Sequence, residues 1–291
     1  MCFAEGVLEL NDARYPALLK QIPKPPSKIF YKGNCRAGLF DKCLSVVGSR
    51  KMTVYGREVV RWLLKTLVHK QITVVSGFTQ GVDACVHKTC LELGISTIGV
   101  FPCGVNVLPN AWLHTEYDQI VYSKGLILSE FEHDFEPKRW TFAKRNRIIA
   151  GLCKALVVVE AAENSGSLIA ANYANTFGRK VFAVPGSVFS SVSTGCNRLL
   201  VDYAHTLYSN SEINEFFGID FLGTMHVDGF SSNAKLNTEK IVALLTATSM
   251  TIDDISKELN SDVSEIARCL TLLAVQGLIK EEGGCYYACK T

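Results

Sequence analysis

The feature that most constrains this chain is an alternation through its middle. Short, mostly apolar runs are each followed by a segment with helical spacing. "CLSVV" leads into Gly48, Ser49 and Arg50, and then into "VYGREVVRWLLKTLVHK", where Val59, Val60, Leu63, Leu64 and Leu67 recur at helical intervals. "ITVVSG" is followed by "VDACVHKTCLELG", with Gly94 placed as its C-terminal cap. "ISTIGVFP", "GLILSEF", "ALVVVEA" and "KVFAVPG" are four further runs, with helical patterns between most of them. A strand apolar on both sides must be covered on both faces, and parallel crossovers supply that cover. The pattern predicts an α/β fold built on a doubly wound, mostly parallel sheet.

The flanks read differently. Residues 1–40 are proline-rich and weakly periodic, yet Leu18, Leu19, Ile22, Ile29, Phe30 and Tyr31 favour burial. They are expected to form an extension packed on the sheet domain, which spans residues 41–217. Residues 218–236 carry glycine and serine without a period and predict a linker. From residue 237 onward come three helical patterns and a hairpin turning at Gly283 and Gly284. Thr251 stands as the N-cap of the second helix, and Gly277 as the stop of the third. This arrangement in about fifty residues predicts a small C-terminal winged-helix domain.

Composition narrows the partners. The 291 residues are 48% hydrophobic and 20% charged, which suits a large core. A net charge of +2 means that a nucleic-acid partner requires a local patch rather than a bulk field. The 11 cysteines are scattered through predicted strands and helices with no CxxC pair, so they read as reduced, mostly buried thiols and hold no metal. With no signal-peptide pattern and no apolar run long enough for a membrane span, the expected location is the cytoplasm.

Ligands of doubly wound sheets bind outside the carboxyl ends of the strands. Three loops of small residues fall there: Gly48-Ser49-Arg50, the stretch from Ser76 and Gly77 to Asp83, and Ser165-Gly166-Ser167. Glycine permits close backbone approach, and serine hydroxyls and helix amides donate to anions, so three such loops on one sheet edge predict phosphate binding. Arg50, directly after a buried strand, suits phosphate with its two-pronged guanidinium. Between Pro137 and Lys154 stand Lys138, Arg139, Lys144, Arg145, Arg147 and Lys154 with no acid, interleaved with Trp140 and Phe142. Cations that track a backbone and aromatics that stack bases are how single strands are held without sequence readout. Lys138, Arg139, Lys144, Arg145 and Arg147 count as candidate DNA contacts, with Arg147 also the candidate for a structural place bonding carbonyls near the sheet edge. Asp83, His87, Glu130 and Glu160 form no evident acid–base pair, and no nucleophile elbow, Walker loop or GxGxxG turn is present. The chain is read as a binding protein with no catalytic residue and no cofactor.

At these residues the sequence resembles the DNA processing protein A family. The blocks "VVGSR", "VVSGFTQGVDACVHKTCL", "PCGVNVLPNAW", "FAKRNRIIAGLC", "VVVEAAENSGSLIAANYANTFGRKVFAVPG" and "GCNRLLVDYA" follow one another in the family's order. The likeness covers about Tyr15 to Ala204. It departs at Phe78, Thr79 and Gln80, where small residues are usual, and at Asn106 and Leu108, where aspartate and tyrosine are common. The resemblance implies an extended Rossmann-like domain, a homodimer and single-stranded DNA as ligand. It also implies RecA recombinase as the partner that receives the strand during natural transformation. It puts the DNA pocket at Gly48–Arg50, around Arg139, Phe142, Lys144 and Arg145, and at Ser165–Ser167.

Two other classes compete. A nucleotide phosphoribohydrolase on a similar sheet needs a PGGxGT turn with a glutamate on the next helix. Here "NSGSLIAANYANTFG" brings no acid before Gly178. A transcription regulator would rest on the winged helix, but "DVSEIARCLTLLAVQG" carries Asp262, Glu265 and only Arg268, a poor charge set for the major groove.

Overall fold

The computed structural model describes residues 4–108, 114–218, 240–246, 248–275 and 278–288. The chain divides into two compact units, Met1–Asn210 and Ser211–Thr291.

The first unit opens with β1 (Ala4–Glu9), the single turn α1 (Ala17–Lys20) and β2 (Lys28–Gly33). The alternation then appears as predicted: β3 (Cys43–Val47), α2 (Val54–Lys65), β4 (Thr73–Ser76), α3 (Val82–Glu92) and β5 (Thr97–Val100). It continues through α4 (His114–Tyr122), β6 (Leu126–Ser129), α5 (Arg139–Leu152) and β7 (Ala155–Val158). α6 (Gly166–Thr176), β8 (Lys180–Ala183), α7 (Thr194–Asp202) and β9 (His205–Thr206) complete the unit.

The nine strands form one sheet in the order β1-β2-β6-β5-β4-β3-β7-β8-β9. β3 to β9 pair with one another in parallel, while β2 pairs antiparallel with β1 on one side and with β6 on the other. All residues of β3, β4, β5, β6 and β7 are buried, as expected of strands sandwiched between helices. One core cluster joins Leu19, Ile148, Leu156 and Leu199 on one side of the sheet, and another joins Phe78, Phe101, Ile120 and Ile127 beneath α4.

Residues 1–40 do more than pack on the sheet: they supply two of its strands. β1 was not legible because its burial barely alternates at the sheet edge, and β2 because its apolar core is only Ile29, Phe30 and Tyr31 between two lysines, whereas Leu19 and Ile22 are buried beside α5 as expected. Strand order reverses between β3 and β7, and this switch point opens a crevice at their carboxyl ends.

The second unit holds α8 (Ser211–Phe217), α9 (residues 240–246), β10 (Met250–Thr251), α10 (Ile252–Leu259) and α11 (Val263–Val275). β11 (Ile279–Glu282) and β12 (Cys285–Ala288) turn through Gly283 and Gly284, both at positive φ, and pair with β10 in the order β10-β12-β11. Ile241, Leu245, Ile255, Ile266, Leu270 and Ile279 form its core. Thr251 caps α10 in a reciprocal box with Asp254. The expected linker beyond Gly218 and the stop at Gly277 lie outside the described residues.

Candidate functional site

A cleft of about 720 Å³ lies at the switch point. Its walls are the loop after β3, the first two turns of α5, and the turn that opens α6. Gly48, Ser49, Arg50, Arg139, Phe142, Arg145, Ser165, Gly166 and Ser167 all line it, so the structure brings together nine of the residues singled out above.

The loop after β3 is held from beneath by α3. The amide of Val82 donates to the Ser49 carbonyl at 3.1 Å. The preceding residue, Gly81, has φ +84, and a Cβ there would lie 2.2 Å from the Ser49 carbonyl oxygen. Only glycine permits that contact. Ser49 is buried, its hydroxyl accepting from the amide of Lys51 at 3.0 Å, which closes the turn and projects Arg50 and Lys51 outward. The Arg50 guanidinium stands over the Phe142 ring, 5.3 Å from its centre. Among the described residues no carboxylate lies within 4.0 Å of Arg50, Lys51 or Arg139.

The opposite wall is the N-terminus of α6. Ser165 caps it, accepting from the Ser167 amide, and the two hydroxyls lie 2.8 Å apart. Asn146 of α5, nearly buried, donates its amide to the Gly166 carbonyl at 3.0 Å. That bond ties the basic helix to the Ser-Gly-Ser turn. Gly81, Lys51 and Asn146 were not singled out from the sequence. Their roles depend on contacts between distant segments, and only Lys51, next to Arg50 in the same loop, carried a local signal.

Helical phase divides the basic run. Arg139, Phe142 and Asn146 share the cleft face of α5 at i, i+3 and i+7. Trp140, Lys144 and Arg147 occupy another face. Lys144 lies 3.3 Å from Glu130 and over the rings of Phe131 and Trp140. Arg147 pairs with the same Glu130 and donates to the Lys24 carbonyl, the structural place expected of it. Lys138 precedes α5 with its ammonium 5.4 Å from the Phe135 ring centre. Lys138, Lys144 and Arg147, expected among the DNA contacts, therefore stand outside the cleft.

The second loop is a floor rather than a wall. Ser76 and Gly77 are buried. The Ser76 hydroxyl donates to the Val46 carbonyl at 2.7 Å, with Asp83 at 3.2 Å. Arg145, 4% exposed, donates to the Val100 carbonyl and acts as counterion to Asp83. Burial pushes the Asp83 carboxyl up, against the opposing pull of Arg145 and the Thr79 and Ser76 hydroxyls. A guanidinium does not release its proton in a protein, so Arg145 keeps a positive charge beside Asp83 beneath the cleft. Glu160 is likewise committed: it accepts from the Thr53 amide and hydroxyl at the start of α2.

His87 is fully buried between the Gly77 carbonyl (2.6 Å from Nε2) and the Thr97 hydroxyl (2.9 Å from Nδ1). A carbonyl only accepts, so Nε2 carries the proton of a neutral ring. Burial pushes its pKa down to about 4. The unfolded chain binds this proton near pH 6.5 and the folded chain near 4, so the stabilisation is complete above pH 6.5 and drains away as pH falls through that window. The loss approaches ~3 kcal/mol at the acid end. Chemical denaturation at pH 7.5 and pH 5 reads it, and His87→Gln is expected to flatten the dependence.

Residues 6–218 match the family model of DNA recombination-mediator protein A. Protein Smf of Synechocystis is 30% identical, the match covering 95% of this chain and 78% of that one. The DNA processing protein DprA of Streptococcus pneumoniae is 36% identical over 69% of this chain and 71% of its own. A crystal structure of DNA processing protein A from Streptococcus pneumoniae superposes with a TM-score of 0.69, at 34% identity, covering 72% of this chain and 74% of that one. DNA processing protein A from Helicobacter pylori, described for its single-stranded DNA binding mode, gives 0.64 at 26% identity, covering 73% and 94%. With residues 6–218 matched by the family model and this identity over most of its length, the chain belongs to the DNA recombination-mediator protein A family.

Proposed function

We propose that this protein binds single-stranded DNA without reading sequence, protects it, and passes it to RecA recombinase during natural transformation, without catalysing a reaction. The observation that carries this reading is the pairing of Arg50 with Phe142 at the mouth of the switch-point cleft. There a cation able to hold phosphate and a ring able to stack a base stand together with Lys51 and Arg139. Gly48, Ser49 and the Ser165–Ser167 turn offer amides and hydroxyls to the phosphates. Asp83, His87, Glu130 and Glu160 are each committed to structural bonds, which favours binding over hydrolysis. The family supports the step to RecA.

Anisotropy titration of a labelled single strand and a matched duplex, at low and moderate salt, tests the reading. The single strand is expected to bind more tightly. Its log affinity should fall against log salt with a slope of about −0.7 for each phosphate held. Equal affinity for duplex, or no binding, overturns it, and hydrolysis of nucleoside monophosphates would then support the phosphoribohydrolase alternative. RecA filament growth on a strand preloaded with the protein reads the hand-over.

We read the unit containing α9 to α11 as a winged helix that meets a protein partner, since α11 offers Glu265 and Arg268 rather than a cationic face. A homodimer fits the apolar side chains after β8. Val188 is 82% and Phe189 97% exposed, and Val201 on α7 is 86% exposed. Phe189→Glu is expected to turn a dimer into a monomer by light scattering while leaving the melting temperature within a few degrees.

A further inference from the structure

A second groove, of about 550 Å³, leaves the cleft at Arg50 and Lys51, which line both. It runs down the outer surface between α2 and α3. Its floor is low because α3 presents Gly81, Ala84 and Cys85 there, small residues at helical spacing. Its sides carry Arg57 and Arg61, one turn apart on α2, and Lys88 on α3. All three are exposed. Among the described residues Arg61 has only a long contact with Glu58 (3.6 Å, both about half exposed), and no carboxylate lies within 4.0 Å of Arg57 or Lys88. Glu92 and Glu116 also line the groove, so five cations face two carboxylates. From Gly81 to Lys88 the helix rises about 10 Å, enough to carry backbone beyond the cleft rather than to hold a single ion.

We infer that this groove is a track for the same nucleic-acid strand. Phosphates beyond those held at Gly48–Arg50 and Ser165–Ser167 lie along Arg57, Arg61 and Lys88, with Arg50 as the hinge between cleft and track. The inference rests on the cleft reading above and adds a direction to it. A strand leaves over α2 and α3, so the protein gains affinity from length without any second binding domain. Exposed cations on facing helices suit this task because they keep their hydration until a phosphate arrives and impose no base preference.

The test compares oligothymidylates of about 6 and about 20 nucleotides, a span that brackets the site sizes of single-strand binders. Three proteins are used: the unmodified chain, the variant with Arg57→Ala, Arg61→Ala and Lys88→Ala, and a control with Lys20→Ala, Lys42→Ala and Lys65→Ala. The control removes the same charge from exposed positions outside both grooves. Circular dichroism melts check that all three fold alike. The groove variant is expected to bind the short strand as the unmodified chain does. It should lose roughly tenfold of the gain from lengthening, and the long-strand salt slope should become shallower by up to about 2. The control keeps both. A groove variant that retains the full length gain overturns the track, and so does an equal loss in the control, which would mean a general field. Failure of the unmodified chain to bind the short strand would overturn the cleft reading. Even then, the long-strand comparison still decides the track by itself.

Discussion

Gly81→Ala is expected to destabilise the protein by roughly 3 kcal/mol or more and to abolish tight single-strand binding. Two costs combine. At φ +84 and ψ −128 the residue occupies backbone space that side-chain-bearing residues avoid, which costs ~1–3 kcal/mol. The added methyl would also meet backbone: the Ser49 carbonyl oxygen at 2.2 Å and the Arg50 Cα at 2.7 Å. Backbone at the end of a buried strand has little room to give, so either α3 retreats or the loop after β3 lifts. Both movements displace Arg50 from Phe142. Gly178→Ala is the matched control. That glycine is at φ +68 with nothing within 4 Å of the added carbon, so it should show the conformational cost alone, ~1 kcal/mol, and bind normally. Urea denaturation reads the stability difference, and anisotropy reads the binding. If Gly81→Ala binds as tightly as Gly178→Ala, the loop after β3 does not hold the strand.

What could be read from the sequence follows from which signals are local. The buried parallel strands announced themselves because both of their faces are apolar, and the loops at their carboxyl ends followed from that frame. β1 and β2 gave no such signal. β1 is the edge strand and β2 its neighbour, with Glu5, Glu9, Lys28 and Lys32 along them, and their pairing joins residues 19 to 29 positions apart. The basic run was visible as a run, but its division was not. Whether Lys144 or Phe142 faces the cleft depends on the phase of α5, and thus on where the helix starts. Arg145 illustrates the gap most clearly. Its neighbours in sequence are cleft or surface residues, yet it lies beneath the site, facing an aspartate that belongs to another helix. Gly81 lies inside the loop from Ser76 to Asp83, but nothing local distinguishes it from an ordinary turn glycine. Its importance comes from Ser49, more than thirty residues earlier.

Arg50 and Phe142 form the part of the cleft where charge and stacking can be separated by measurement. Arg50→Ala should weaken single-strand binding roughly 10- to 100-fold, the scale of a charge-assisted hydrogen bond of ~1.5–3 kcal/mol, and should do so equally for every base composition. Arg50→Lys restores the charge without the planar fork or the stacking surface, so the salt slope should return while most of the affinity does not. Phe142→Ala removes a platform worth ~1–3 kcal/mol per stacked base and leaves the salt slope unchanged, because no phosphate contact is lost. Since the guanidinium already rests over the ring, each variant also loosens the other side chain. The double variant should therefore lose less than the product of the two single losses. A salt slope that falls equally in both single variants would mean that the ring only positions the arginine. In that case, the base would have to stack elsewhere, and Trp140, 52% exposed on the other face of α5, is the next aromatic to replace.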